Sequence, residues 1–319
     1  MNPFAKLLYP RLPSAAIGLS GEGAGVVALD RRRDLFAVKR AGYVALPDGL
    51  VRPHFDEANI TDANELAEIL AELVTSTGLV KQHRWSVALP EAATRTTILT
   101  TESAAASGTE LEEVLRWKIE RSISVPLDEL RVSRERISSD AQGRARYLVA
   151  AVRLAVLNEY ESVFESLGWR AGLILPRHMG EAWWLMSGDR AVATDSLLVS
   201  THRDGFTAVL LRRAQPLVVR GVLCEPADRH DELYRFLLFY RDRIASPEDV
   251  EGAPPETIGR VLITGDGFDR DEASAIIAET LSSSPQILGA EDARLTLPPG
   301  DLEFKTLAAP TGLAALAWS

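Results

Sequence analysis

The apolar positions near the start of the chain keep two rhythms. Residues 15–19, 25–29 and 35–41 are short apolar-rich runs and predict strands. Over 62–77 the spacing becomes helical: Leu66, Ile69, Leu70, Leu73 and Val74 form one stripe, Asp62 and Glu65 suit a first turn, and Gly78 suits the stop. A buried strand follows at 85–89 and is halted by Pro90. The pattern is β-β-β-α-β, a sheet with one helix covering it.

A second unit begins near Arg95. "RTTILTT" reads as a strand, and Thr109 with Glu112 forms a capping-box pattern for a helix over 110–123. Leu111, Val114, Leu115, Ile119 and Ile123 mark its buried face. "SVPLDEL" breaks the helix, and "LRVSRERIS" and "RARYLVAAV" are the next strands. A helix over 154–167 ends before Gly168, and "RAGLILP" closes the block as a strand. Residues 93–174 thus read as an α+β subdomain inserted into a first subdomain made of 1–92 and 175–192.

The rhythm then starts again, which predicts a second subdomain over 193–300. Its strands lie in "SLLVSTHRDGFTAVLLRRAQPLVVRGV", its helices over 228–244 and 271–281, and its later strands in "RVLITGDGF" and at 286–288. Residues 245–259 read as a solvated loop. The last segment, 301–319, includes the apolar "PTGLAALAWS", a helix that must pack back on the core. "AIGLSGEGAGVVALD" and "LLVSTHRDGFTAVLL" share one grammar, with Ser20 and Ser200 at matching points. That predicts an internal duplication: two pseudo-symmetric sheets about a central cleft, with these turns facing each other across it.

Composition narrows the function classes. The 319 residues suit about two domains, and a hydrophobic content of 46% suffices for full cores. A net charge of -10 argues against a broad nucleic-acid or anionic-membrane surface. Arg31-Arg32-Arg33, flanked by Asp30 and Asp34, reads as a solvated turn. The single cysteine, Cys224, allows no intramolecular disulfide and fits a reducing compartment. Pro10 and Pro13 interrupt the N-terminal apolar stretch, and no run reaches the length of a membrane span. The expectation is a soluble cytoplasmic protein with no nucleic-acid partner and no direct membrane insertion.

Familiar enzyme motifs fit poorly. Gly18-Leu19-Ser20-Gly21-Glu22 lacks the last glycine of a nucleophile elbow and leads into a strand where a helix is required. Gly21-Glu22-Gly23 lacks the third glycine of a dinucleotide turn. His202-Arg203-Asp204 lacks the asparagine and lysine of a kinase site and reads as a hairpin tip. His54, His83, His178, His202 and His230 have no ligand-like spacing, so no metal is expected. Trp183 and Trp184 suit a core or a subdomain interface. "ITGDGF" ends a strand in Gly265-Asp266-Gly267 before a helix; this is either a close approach to a ligand or a plain strand-to-helix turn.

In their order along nearly the whole chain, these segments resemble PilM, the actin-like cytoplasmic family of type IV pilus assembly, related to the cell-division protein FtsA. Ile17, Gly18 and Leu19, then Ser20, are similar to the family's first turn, I-G-L-D-I-G-S-S-S-V-K. "ISVPLDEL" resembles I-P-x-P-L-D-E-V, "ELYRFLLFYR" resembles the R-S-L-x-F-Y helix, and "RVLITGDGF" resembles the adenosine-side I-x-L-T-G-G-G. "YLVAAVRLAVLNEYESVFESLGWRAGLILP" is similar to the family's strand, helix, A-G-L and closing proline. The resemblance implies an α/β, actin-like ATPase fold of two pseudo-symmetric ribonuclease-H-like subdomains with an inserted α+β subdomain. It places a nucleotide cleft at Ser20, Gly21, Gly23, Ser200, Thr201, Gly265, Asp266 and Gly267.

The departures from the family pattern bear on chemistry. Ser20 stands where the first-turn aspartate is expected, Ser200-Thr201-His202 stand on the second-turn D-I-G, and Asp266 stands on the middle adenosine-side glycine. Phosphoryl transfer needs a held metal, an oriented water and neutralised phosphate charge. Loss of one such element costs about a hundredfold or more in rate. The expectation is a degenerate cleft with no catalytic residue, in which ATP with magnesium is disfavoured. The resemblance further implies a scaffold at the inner face of the inner membrane. It would bind the N-terminal segment of a membrane partner, PilN in pilus systems, and contact the pilus assembly motor. Trp117, off the main stripe of its helix, is a candidate groove anchor or a core tryptophan. Two alternatives stand beside this reading. One is an actin-like ATP-binding protein or kinase-like enzyme with residual activity, which needs carboxylates at the two turns. The other is the cytoplasmic domain of a GspL-like protein of type II secretion, a family whose members continue into a membrane span.

Overall fold

A computed structural model describes residues 12–102, 108–140, 142–187, 194–245 and 257–319. The expectations for 1–11 and for most of the 245–259 loop lie outside the described residues. In chain order the first elements are β1 (Ala15–Leu19), β2 (Gly23–Arg32), β3 (Leu35–Ala45), α1 (Ala63–Ser76) and β4 (Arg84–Leu89). Next come β5 (Arg95–Thr101), α2 (Gly108–Ile123), β6 (Leu130–Ile137), β7 (Ala145–Arg153), α3 (Leu154–Ser166), β8 (Arg170–Pro176) and α4 (Arg177–Met186). The remainder is β9 (Asp195–His202), β10 (Gly205–Arg212), β11 (Gln215–Leu223), α5 (Arg229–Arg243), β12 (Ile258–Thr264), α6 (Arg270–Leu281), β13 (Gln286–Ile287), β14 (Leu295–Thr296) and α7 (Phe304–Ala315). Among the described residues no helix is long and apolar enough to cross a membrane.

The two large sheets have one topology. In the first, β1, β2 and β3 form an antiparallel meander, and β4 and β8 add parallel to β1 in the order β3-β2-β1-β4-β8. In the second, β9, β10 and β11 repeat the meander, and β12 and β13 add in the order β11-β10-β9-β12-β13. The repeated strand grammar is this duplication. The strands read as nearly continuous apolar runs because both faces are covered. Ile17 and Leu19 of β1 face the core under α1 and α3, whereas Ala16 faces the opposite way. In β10 Phe206, Ala208 and Leu210 pack towards α5 and α6, and Val209 and Leu211 face the seam between the halves.

That seam is filled by α4 and α7. Trp184, Leu185, Leu307 and Leu313 join Leu198 and Leu262 of the second sheet in one core. The two helices meet backbone to backbone: a Cβ on Gly312 would lie 1.8 Å from the Gly180 carbonyl oxygen, and one on Gly180 would lie 2.3 Å from that of Ala309. The Trp184 indole N–H donates to the Ala308 carbonyl at 3.0 Å, close to this crossing. Helix α7 starts earlier than the sequence suggests and carries Pro310 in its interior. A proline there removes a helical hydrogen bond, but its ring fills the space over Gly18, where a Cβ would come within 2.9 Å of Cδ.

Three sequence boundaries need correction. Helix α3 and strand β8, expected in the insert, belong to the first core: Val156, Leu157, Tyr160 and Phe164 lie in that core, and β8 pairs with β4. The separate sheet is β5-β7-β6, so the insert spans residues 95–153. Arg95 lies opposite Ala151, which brings the insert's two ends side by side. The second unit also ends before 300, because β14 returns to pair with β3. Helix α2 begins at Gly108, which puts Thr109 inside it and removes the expected cap. Helix α4 carries no clear stripe in the sequence, since buried His178 and Glu181 interrupt its apolar face.

The glycine crossing makes a direct prediction. Gly312→Ala should lower the free energy of unfolding in urea by about 1–3 kcal/mol or more. Gly221→Ala, whose new Cβ meets nothing within 4 Å, should stay within about 0.5 kcal/mol of the parent.

Candidate functional site

The ends of β1 and β9 bring their turns to one cleft, which holds a cavity of ≈ 180 Å³. Ser20, Gly23, Thr201, Gly265, Asp266 and Gly267 line it. Gly21 lies on an adjoining cavity of ≈ 560 Å³ that runs towards Asp48 and His54. Ser200 does not face the cleft; it is fully buried beneath the β9–β10 turn, because strand alternation turns it into the protein.

The polar groups of the cleft are committed to the protein itself. The Ser20 hydroxyl accepts from the Gly23 N–H at 3.0 Å and the Glu22 N–H at 3.3 Å, folding its own turn. Tyr43 lies over that turn, where a Cβ on Gly23 would come within 2.1 Å of the phenol oxygen. Burial and the charges of Asp266 and Glu22 raise the Tyr43 pKa. The Thr201 hydroxyl donates to the Thr264 carbonyl at 2.7 Å and accepts from the Gly267 N–H at 2.9 Å. Gly265 takes a φ of 75°, and a Cβ there would lie 2.4 Å from the Thr201 carbonyl oxygen. The two glycines thus seat the β12–α6 turn against β9. The start of α6 is capped by Asp269, which accepts from the N–H groups of Asp271 and Glu272, so its positive end already faces carboxylates. The structure therefore favours the plain strand-to-helix turn.

Charge follows the same logic. Arg177, Arg203 and Arg229 line the cleft with Glu22 and Asp266. Arg177 is held by Glu181 at 2.7 Å, and Arg229 donates to the carbonyls of His202 and Arg203 at 2.7 Å each. Asp266 pairs with Lys305 at 3.0 Å. The hydroxyls of Ser20 and Thr201 are engaged within the chain, and Glu22 and Asp266 stand among the lining residues. Among the described residues no group of three or more His, Cys, Asp or Glu side chains is placed to hold a metal.

Beneath the cleft lies a buried network that sequence reasoning missed. Glu91 follows β4, and its Oε1 accepts the His178 backbone N–H at 2.8 Å. Its Oε2 sits 2.7 Å from His178 Nδ1. From the second half, Ser200 donates to Oε1 at 3.4 Å and Thr207 to Oε2 at 3.2 Å. Burial alone would raise the Glu91 carboxyl, but the His178 charge and hydrogen bond outweigh it, and His202 and Arg177 help hold it below its ordinary value. Burial would depress His178, yet Glu91 and Glu181 hold it above its ordinary value. For His202 burial wins, and its pKa falls. The legible signal was positional: Glu91 and His178 both follow the C-terminal ends of parallel strands, where α/β sites form.

A second feature lies on the insert. Its sheet has α2 on one face, over Tyr147 and Val149. The other face forms a small, mainly apolar groove of ≈ 50 Å³ with the first subdomain, lined by Arg131, Ser133, Ala150, Val152, Leu157, Ile174 and Leu175 among others. Strands β6 and β8 are the terminal strands of their sheets here. Trp117 is 55% exposed with Arg121 stacked on its ring at 5.1 Å, so the core reading fails. It lies on α2, on the opposite side of the insert's sheet from this groove.

Two β-β-β-α-β units, each completed by a further parallel strand and facing each other across a cleft, with a small α+β insert in the first, define the actin-like ATPase fold. A chain of the PilM–PilN type IV pilus biogenesis complex has this fold, with a TM-score of 0.73 at 17% identity over 97% of this chain and 98% of that one. More distant are an actin-like ATPase-fold protein of unknown function from Bacteroides thetaiotaomicron (TM-score 0.49, 11% identity, 97% and 98% covered) and the cytoplasmic domain of EpsL, an inner-membrane component of the type II secretion system of Vibrio cholerae (0.47, 13%, 95% and 93%). No family model and no curated protein matches the sequence.

The network predicts a pH profile. The depressed Glu91 adds stability above its unfolded value of 4.5, lost as pH falls through its folded pKa. The raised His178 adds stability that is full below 6.5 and is lost as pH rises through its folded pKa. Urea unfolding across pH should show the pair's contribution greatest between these values. His178→Ala, which strands a buried carboxylate, should cost about 3–5 kcal/mol in that window and less above it.

Proposed function

We propose that this chain is a PilM-like scaffold of type IV pilus assembly that captures the N-terminal segment of a PilN-like inner-membrane protein and does not hydrolyse ATP. The observation that carries this reading is the end-to-end likeness to a chain of the PilM–PilN complex, insert included. The cleft supports it, because the Ser20 and Thr201 hydroxyls at its two turns are engaged in bonds within the chain. The groove between the insert and β8 supports the partner role. It is mainly apolar, and it is bordered by two terminal strands whose backbone can pair with an extended peptide.

Calorimetry with magnesium-ATP, followed by phosphate release, should give weak or no binding and no turnover. Steady hydrolysis abolished by Ser20→Ala would overturn the scaffold reading of the cleft.

Titration with the cytoplasmic N-terminal segment of a PilN-like inner-membrane protein should give saturable binding. Ala150→Arg places an unpaired charge in the groove and should weaken binding by about tenfold or more. Trp117→Ala should leave the affinity within about twofold. Replacing residues 95–153 by a short linker should abolish binding while the remainder keeps a cooperative unfolding transition; binding that survives this excision contradicts the groove.

A further inference from the structure

The buried carboxylate of Glu91 stands at a mechanical seam. Glu91 and His178 belong to the first half, on the turn after β4 and the first turn of α4. Ser200 and Thr207 belong to the second half and are directly opposed neighbours on β9 and β10. Their hydroxyls form a two-pronged donor whose prongs reach the two oxygens of one carboxylate. At 3.4 and 3.2 Å these bonds are long for hydroxyl to carboxylate, but their acceptor is almost fully removed from water. The ion pair at the cleft mouth, Arg203 to Asp48, is 68% and 86% exposed and ties the halves weakly. Close beside the Glu91 carboxylate α4 and α7 meet at glycines, with Gly180 standing two residues after His178 on α4.

We infer that Glu91 is an internal anionic latch between the halves. It seats the second sheet on the first by bridging His178 to Ser200 and Thr207, so removing the carboxylate loosens that seating. A small carboxylate supplied from solution occupies the socket that truncation leaves, because the donors that recognise it belong to His178, Ser200 and Thr207. A separate tie, Arg146 to the carbonyls of Pro216 and Leu217 at 3.0 and 2.9 Å, joins the insert to β11 and offers no such socket.

The test uses the full chain carrying Cys224→Ser and nitroxide labels at Glu65→Cys and Asp271→Cys, exposed positions on α1 and α6 in the two halves. Pulsed electron resonance reads the distance between them. Glu91→Ala should give a longer and broader distribution, and tens of millimolar acetate should restore the parent one. Ser200→Ala with Thr207→Val leaves the ion pair in place; it should also lengthen the distance, with no recovery in acetate. Arg146→Ala should show no acetate response. If Glu91→Ala does not fold, the Ser200/Thr207 double variant decides. An unchanged distance in the folded variants, or lengthening by Glu91→Ala that acetate leaves unaltered, overturns the latch.

Discussion

Two helices touching backbone to backbone set the geometry of everything else in this molecule. Gly180 and Gly312 remove the side chains that would hold α4 and α7 apart, and the two sheets can then close on one thin layer of apolar residues. The turns after β1 and β9 meet across a narrow cleft for that reason. Pro310 extends the same constraint: it sits inside α7, and its ring occupies the place a side chain on Gly18 would need. The floor of the cleft is therefore made of packed hydrocarbon and backbone, and little room remains above it.

The groups that line the cleft are engaged chiefly with one another. Close backbone approach occurs at Gly23, Gly265 and Gly267, and the approaching partners are Tyr43, Thr201 and Arg229 of the same chain. The arginines are met by Glu181 and by main-chain carbonyls. The strongest electrostatic arrangement lies one layer deeper, where Glu91 and His178 shift each other's ionisation in the favourable sense against the opposing effect of burial. A buried pair of this kind adds little net stability, yet losing either partner is costly. It is better suited to fixing how two halves sit together than to holding them with great strength.

Much of the fold is legible in the sequence because both sheets are covered on two faces. Continuous apolar runs such as "SLLVS" and "FTAVLL" announce strands without needing alternation, and their repetition announces the duplication. The capped helix α1 is equally plain, since Asp62 bonds the N–H groups of Asn64 and Glu65. Helix α4 was hidden by its function: His178 and Glu181 are buried through ion pairing, which a hydropathy pattern cannot show. The insert's boundary was misplaced because α3 and β8 follow β7 almost without a break, and only pairing with β4 assigns them. Of the cleft, the turns were legible and the partners of their hydroxyls were not. Ser200 illustrates the limit: one residue along a strand separates a group facing the cleft from one facing the core.

The central claim is that this chain works through the groove between its insert and the first sheet, with its cleft chemically silent. Hydrogen exchange of the full chain, with and without the partner's cytoplasmic segment, tests it most directly, because an added strand protects the backbone it pairs with. The account predicts new protection confined to β6, β7 and β8, with the turns at 19–23 and 264–268 unchanged, and no change anywhere on adding magnesium-ATP. Protection at those turns on adding magnesium-ATP, with the groove strands unaffected by the peptide, would contradict it.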